Sequence, residues 1–190
     1  MVKFHSSIIR VTLLALTLIV PSLAVQAGNQ RDPYQYFFES SLGDLTEELE
    51  IAREDGKRGV FVFFEMDECP FCHRMKETVL SEVDVQEYFG QYFHSIAMDI
   101  EGDIEIVDFG GEDMTQKEFA RKYRVRATPL LAFFDLDGKQ IFKYVGAPSG
   151  KQEFLWMGEF VAEGIYLQKD DSGRPVRFAR YKRQKKNSGL

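Results

Sequence analysis

The sequence predicts an α/β fold, with a mixed central sheet covered by helices on both faces. Three observations lead there. Val60-Phe61-Val62-Phe63-Phe64 is an unbroken apolar, β-rich run, the pattern of a strand buried on both sides. Segments of helical and strand periodicity alternate along the chain. Two further strand-like runs, Leu130–Phe134 and Gln140–Val145, are joined through Asp137-Gly138, a strong hairpin signal.

The elements follow in order. Lys3 and Arg10 precede and flank a short apolar run, Val11 to Val20, which Pro21 ends; Val25-Gln26-Ala27 is a small-residue cleavage pattern. Residues 1–27 therefore read as a secretory signal peptide cut after Ala27. The run falls short of the roughly 20 apolar residues that span a bilayer, and no cysteine lies near the cut to carry a lipid. One domain is expected over 28–170. Leu45, Leu49 and Ala52 give helical spacing between Leu42 and Asp55. After the strand at 60–64, helical spacing starts at the cysteines, with Met75, Val79 and Leu80 as the inner face, and a second piece runs from Val83 to Phe89. Phe93–Ile100 alternates as a strand, and Ile104-Glu105-Ile106 as a short edge strand or hairpin arm. Thr115-Gln116-Lys117-Glu118 is a capping box opening a helix to Tyr123. Lys151–Gln168 closes the domain as an amphipathic helix. Residues 171–190 are basic and poor in apolar side chains, and read as a solvated, disordered tail; contact with anionic lipid or an acidic partner is the other reading.

Bulk composition narrows the function. Of 190 residues, 44% are hydrophobic and 28% charged, ordinary for a globular protein. Cleavage of the leader removes Lys3 and Arg10 and takes the formal charge from −6 to −8. An acidic body argues against nucleic acid as a partner. The 17 phenylalanines read as core rather than as a groove for unfolded chains. The acids between Asp99 and Asp113 lack the glycine and closing glutamate of a calcium loop.

The chemistry rests on Cys69-Pro70-Phe71-Cys72, which holds both cysteines of the chain. With none left over for a structural staple, the pair is redox-active, a metal site or a cofactor attachment. At a helix start, i and i+3 share a face, near enough for a disulfide. Pro70 suits the first helical turn, where its missing N–H costs nothing. Unpaired amides there favour a thiolate at Cys69. A pKa lowered from about 8.5 to about 6.5 would raise the ionised fraction at pH 7 from roughly 3% to roughly 75%. Cys69 is thus the expected nucleophile, exposed, and Cys72, one turn inside, the resolving thiol. His73 is expected to face solvent, and near the sulfurs its cation would favour the thiolate.

The strand at 60–64, the CxxC opening a helix, and Ala127-Thr128-Pro129 before the hairpin together resemble the thioredoxin superfamily over roughly residues 35–168. Glu65, Cys69, Cys72, His73, Met75 and Lys76, with the leader, look closest to bacterial periplasmic thioredoxin-like proteins. The resemblance implies a thioredoxin-like three-layer fold and a periplasmic thiol–disulfide oxidoreductase that needs no cofactor and no metal. It also implies a cis bond before Pro129 and a Thr128 backbone that pairs with substrate. The implied partners are disulfide-bearing exported proteins or sulfur-metabolism proteins, with a membrane thiol transporter as reductant. The chain departs from the family at Glu68 before the motif, at Pro70 and Phe71 within it, and at Phe63, where cytoplasmic members carry a buried aspartate. Glu65 is a candidate substitute for that aspartate, or an exposed strand-end glutamate. A monomer is expected.

Two rival chemistries share these residues. Cys69 to His73 matches the c-type haem pattern CxxCH. Cys69, Cys72, His73 and His94 are four zinc-competent side chains, though His73 adjoins Cys72. A non-enzymatic binding module on the same fold is the third alternative.

Overall fold

The computed structural model describes residues 30–189, so the leader read at 1–27 lies outside the described residues. A four-stranded sheet runs in the order β2-β1-β5-β6: β1 is Gly59–Glu65, β2 Phe93–Asp99, β5 Leu130–Phe134 and β6 Gln140–Val145. β1 and β2 are parallel, and β5 is antiparallel to both β1 and β6. A separate hairpin pairs β3, Glu105–Val107, with β4, Asp113–Thr115. The helices are α1 (Pro33–Tyr36), α2 (Leu45–Glu54), α3 (Pro70–Met75), α4 (Val83–Tyr92), α5 (Gln116–Lys122), α6 (Lys151–Ala162) and α7 (Phe178–Asn187). A π-helical turn, Lys76–Leu80, continues α3.

The central strand shows why this order of elements closes into three layers. Every residue of β1 is buried. Alternate side chains leave opposite faces of a strand. Phe61 and Phe63 join a core with Met75, Phe89, Phe154 and Met157 from α3, α4 and α6. Val60, Val62 and Phe64 join a second core with Leu45, Leu49 and Phe119 from α2 and α5. Phe89 stacks on Phe154 with ring centroids 4.2 Å apart. Phe71 is the exposed exception among the described phenylalanines, at 57%, so the aromatic content is core, as the composition suggested.

Local chemistry sets the boundaries. Asp44 caps α2 by accepting from the Thr46 and Glu47 N–H groups, so that helix starts at Leu45 rather than Leu42. Thr115 and Glu118 form the expected capping box on α5. The helix expected to reach Gln168 ends at Ala162, because Gly164 takes the left-handed conformation (φ 67°) that stops a helix.

The reading of 171–190 as a disordered tail is corrected. Phe178 and Tyr181, three apart on α7, are buried against Phe142 and Phe160. Four of the basic residues are also paired: Lys182 bonds Glu153 at 2.7 Å and Lys185 bonds Glu159 at 2.7 Å, both acids on α6, while Arg174 and Arg180 pair with Asp170. Two aromatics one turn apart give a short helix an apolar side to bury, a signal that the surrounding charges hide.

Candidate functional site

β1 delivers the chain to the C-terminal end of the sheet, and Met66–Glu68 turn it into α3. Cys69 is the N-cap of α3 and Pro70 its first residue. The missing proline N–H falls where a helix has no use for one. Cys69 and Cys72 are joined by a disulfide, with Cα atoms 5.2 Å apart. The Cys72 N–H donates to Cys69 Sγ at 3.1 Å, so a backbone amide already faces the sulfur that would carry charge after reduction.

Burial departs from the expectation of an exposed nucleophile. Cys69 is 2% exposed and Cys72 0%. Both sulfurs sit in the first core, on the Phe61–Phe63 face of β1. Pro70 and Phe71, the two residues between them, are exposed and form the surface over the pair. Arg74 lies over the Phe71 ring at 5.6 Å. His73 is exposed, as expected, and its Nε2 lies 2.9 Å from the Asp67 carbonyl oxygen.

Pro129 arrives at the same end of the sheet from the other side. Leu130 pairs with Phe64 in the β1–β5 ladder, which places Pro129 level with Glu65, where the CxxC loop departs. The Thr128–Pro129 bond is cis. The Pro129 carbonyl accepts from Gly146 N–H at 2.8 Å, whereas the Thr128 backbone has no backbone partner among the described residues.

Glu65 is not an exposed strand-end residue. It is 9% exposed and, two residues beyond Phe63, it points to the sulfur-bearing face. Its two oxygens accept from Lys76 Nζ at 2.6 Å and from Tyr34 hydroxyl at 2.7 Å, and Lys76 also donates to Tyr34 at 2.8 Å. Burial works against the Lys76 cation, but hydrogen bonds to Glu65 and Tyr34 outweigh it and hold its pKa above the ordinary lysine value. Burial, with Glu65, raises Tyr34, against the pull of Lys76. Lys76 stands four residues after Cys72, one turn along the same helical ridge. That spacing was a readable signal for Lys76; Tyr34 comes from a distant segment and left none.

The zinc set is not assembled. His94 pairs in register with Val60, on the opposite face of the sheet from the cysteines, and bonds buried Glu48 of α2. Burial raises the Glu48 carboxyl, but hydrogen bonds from His94 and Ser41 prevail and hold it below the ordinary range. His94 is a core histidine tying α2 to the sheet. The haem pattern needs two sulfurs free for thioether bonds; here they are bonded to one another and buried.

Comparison with known proteins agrees with this geometry. A disulfide bond reductase, DsbH, of Chlamydia pneumoniae is 27% identical over 111 residues, covering 57% of this chain and 64% of that protein. The chain thus matches less than two thirds of that relative's length. A thioredoxin-fold protein from Helicobacter pylori superposes with a TM-score of 0.63 over 84% of this chain and 98% of its own, at 21% identity. A candidate disulphide-isomerase from Bacteroides thetaiotaomicron superposes with a TM-score of 0.50 over 67% of this chain and 92% of its own, at 28% identity. The model of the thioredoxin-like domain matches residues 45–162, from the first turn of α2 to the end of α6 and across the whole cysteine site. With its three-layer fold and the buried Cys69–Cys72 pair beyond the end of β1, the chain belongs to the thioredoxin-like domain family.

Proposed function

We propose that this chain is an exported, periplasmic thiol–disulfide oxidoreductase that reduces disulfides of exported or sulfur-metabolism proteins. The observation that carries the reading is the Cys69–Cys72 bond at the start of α3, with the Cys72 amide 3.1 Å from Cys69 Sγ. In the reduced protein the Cys69 thiolate attacks one sulfur of a substrate disulfide. A Cys69–substrate bond forms, and the other substrate sulfur leaves as a thiolate and takes up a proton. Cys72, after losing its proton, attacks Cys69 Sγ; the Cys69–Cys72 bond re-forms and the second substrate thiol departs. Two electrons pass from the pair to the substrate, and a membrane thiol transporter restores them. No cofactor or metal takes part, and the protein acts as a monomer.

The other site residues divide the remaining work. The free Thr128 backbone, beside Pro129, supports its role in pairing with an extended substrate chain. Pro70 and Phe71 form the surface that substrate meets, and His73 stands at its rim. With Phe63 where an acid is usual, Glu65 takes the role of proton acceptor for Cys72, held in place by Lys76 and Tyr34. Glu65→Gln should slow resolution of the mixed disulfide about tenfold at pH 7 while leaving the initial attack unchanged. Rapid-quench separation of the two steps decides this, and equal slowing of both would count against it.

Equilibration with glutathione buffers, read by alkylation and mass, tests the direction of electron flow. CxxC potentials span about −270 to −120 mV. A reductant is expected in the lower part of that range, below about −200 mV. A value close to −120 mV would make the protein an oxidant instead.

A further inference from the structure

The sheet has one edge whose main chain remains open beside the cysteine site. β2 is one of the two edge strands of the four-stranded sheet, β6 being the other. Two hydrogen bonds fix which of its residues face outward. Ile100 N–H donates to the Glu65 carbonyl on β1, whereas Glu39 N–H reaches the Ser95 carbonyl from outside the sheet. In a parallel ladder these directions alternate, so even-numbered residues of β2 turn their main chain toward β1 and odd-numbered ones away. Glu39 covers Ser95. Two residues on, the Ala97 N–H and C=O face the same side and meet no partner among the described residues. A groove of about 310 Å³ runs over this point. Leu42 and Ile104 form its walls, 97% and 66% exposed, with Phe38 and Ile106 beneath. An open strand edge flanked by exposed aliphatic side chains is a template for another strand.

The charge around the groove selects the occupant. Glu39 lines it, and Glu101, Asp103 and Glu105 lie on the exposed stretch that follows β2. None of the four takes part in an ion pair among the described residues. No lysine, arginine or histidine occurs from Asp99 to Gln116. We propose that this groove docks an extended segment of a partner polypeptide, alternating in apolar and basic residues, which adds to β2 at Ala97. Main-chain bonds would supply affinity, and the aliphatic walls and acidic rim the selectivity. Tyr34, which bonds Glu65, lines the same groove, so the docked segment would lie next to the redox site. The proposal stands apart from the redox reading, because neither Ala97, Leu42 nor Ile104 takes part in thiol exchange.

The test is fluorescence anisotropy of the oxidised protein with a labelled synthetic peptide of alternating lysine and valine. Saturable binding is expected, with no binding of the valine–glutamate counterpart. N-methylation of alternate peptide amides should weaken binding at least about tenfold in one of the two methylation registers, because only one set of amides faces the β2 edge. The double variant Leu42→Ser, Ile104→Ser, which removes the apolar walls without adding charge, should weaken it at least about tenfold as well, and hydrogen exchange at Ala97 should slow when the peptide binds. Both substituted side chains are exposed, and an unchanged melting temperature confirms folding; the methylated peptides test the idea without altering the protein. Absence of binding, or binding indifferent to both methylation registers, overturns the proposal. So does a dimer in sedimentation that the double variant abolishes, since a second copy would then be the occupant of the edge.

Discussion

Cys69→Ser should abolish insulin-disulfide reduction, with a loss of at least about 10³-fold, while Cys72→Ala should accumulate a covalent complex with substrate. The asymmetry follows from the helix start. A serine hydroxyl there stays protonated at neutral pH, and the amide that faces Cys69 Sγ at 3.1 Å cannot lower its pKa far enough to make it a nucleophile. Removal of Cys72 leaves that first step in place and takes away the sulfur that displaces the substrate. The trapped complex should run as a higher-mass band on a non-reducing gel and collapse with dithiothreitol. A trap formed by Cys69→Ala instead of Cys72→Ala would reverse the two roles, and equal activity of wild type and Cys69→Ser would remove the enzymatic reading. Burial adds a condition. Because both sulfurs are nearly sealed in the oxidised form, attack requires the Pro70–Phe71 surface to admit substrate, so Phe71 is where the choice of substrate would first be made.

The pairing of the two cysteines and the sheet were legible in the sequence because both depend on short-range pattern. A continuous run such as Val60–Phe64 has few ways to be buried other than as a central strand. The turn at Asp137-Gly138 and the box at Thr115–Glu118 are set by residues within a few positions of each other. Pro129 followed from the resemblance alone, and the cis bond is as expected. What failed depended on partners far apart in the chain. Glu65 reads as a strand-end acid until Tyr34, 31 residues away, and Lys76 close over it. Arg174 to Lys186 reads as a solvated run until the acids of α6 are set beside it. Periodicity records which side a residue faces; it does not record what waits there.

Glu153 is the acid on which that C-terminal packing turns, and Glu153→Ala should cost about 2–4 kcal/mol of folding stability. The side chain is 3% exposed and its carboxylate meets four donors: Ser149 N–H at 3.2 Å and hydroxyl at 2.5 Å, Tyr144 hydroxyl at 3.2 Å, and Lys182 Nζ at 2.7 Å. It thereby joins β6, the start of α6 and α7 at one point. Burial alone would push its pKa up, but the bonds from Lys182 and Ser149 overturn that and bring it to about 2. A depressed carboxylate stabilises the fold at every pH above its unfolded value, near 4.5, and loses that contribution as pH falls toward about 2. The shift corresponds to about 3 kcal/mol. Glu153→Gln keeps an acceptor oxygen and the shape but not the charge, so its difference from wild type isolates the titration. In denaturant unfolding followed from pH 7 to pH 2, that difference should be widest at neutral pH and close as the acid is reached. A gap of constant width would mean that packing rather than charge holds the site. Proteolysis gives the structural counterpart: if Glu153 seats α7, the alanine variant should become susceptible to cleavage at Arg177 and Lys182 before the rest of the domain unfolds. A variant cleaved only on global unfolding would show instead that Phe178 and Tyr181 anchor the helix unaided.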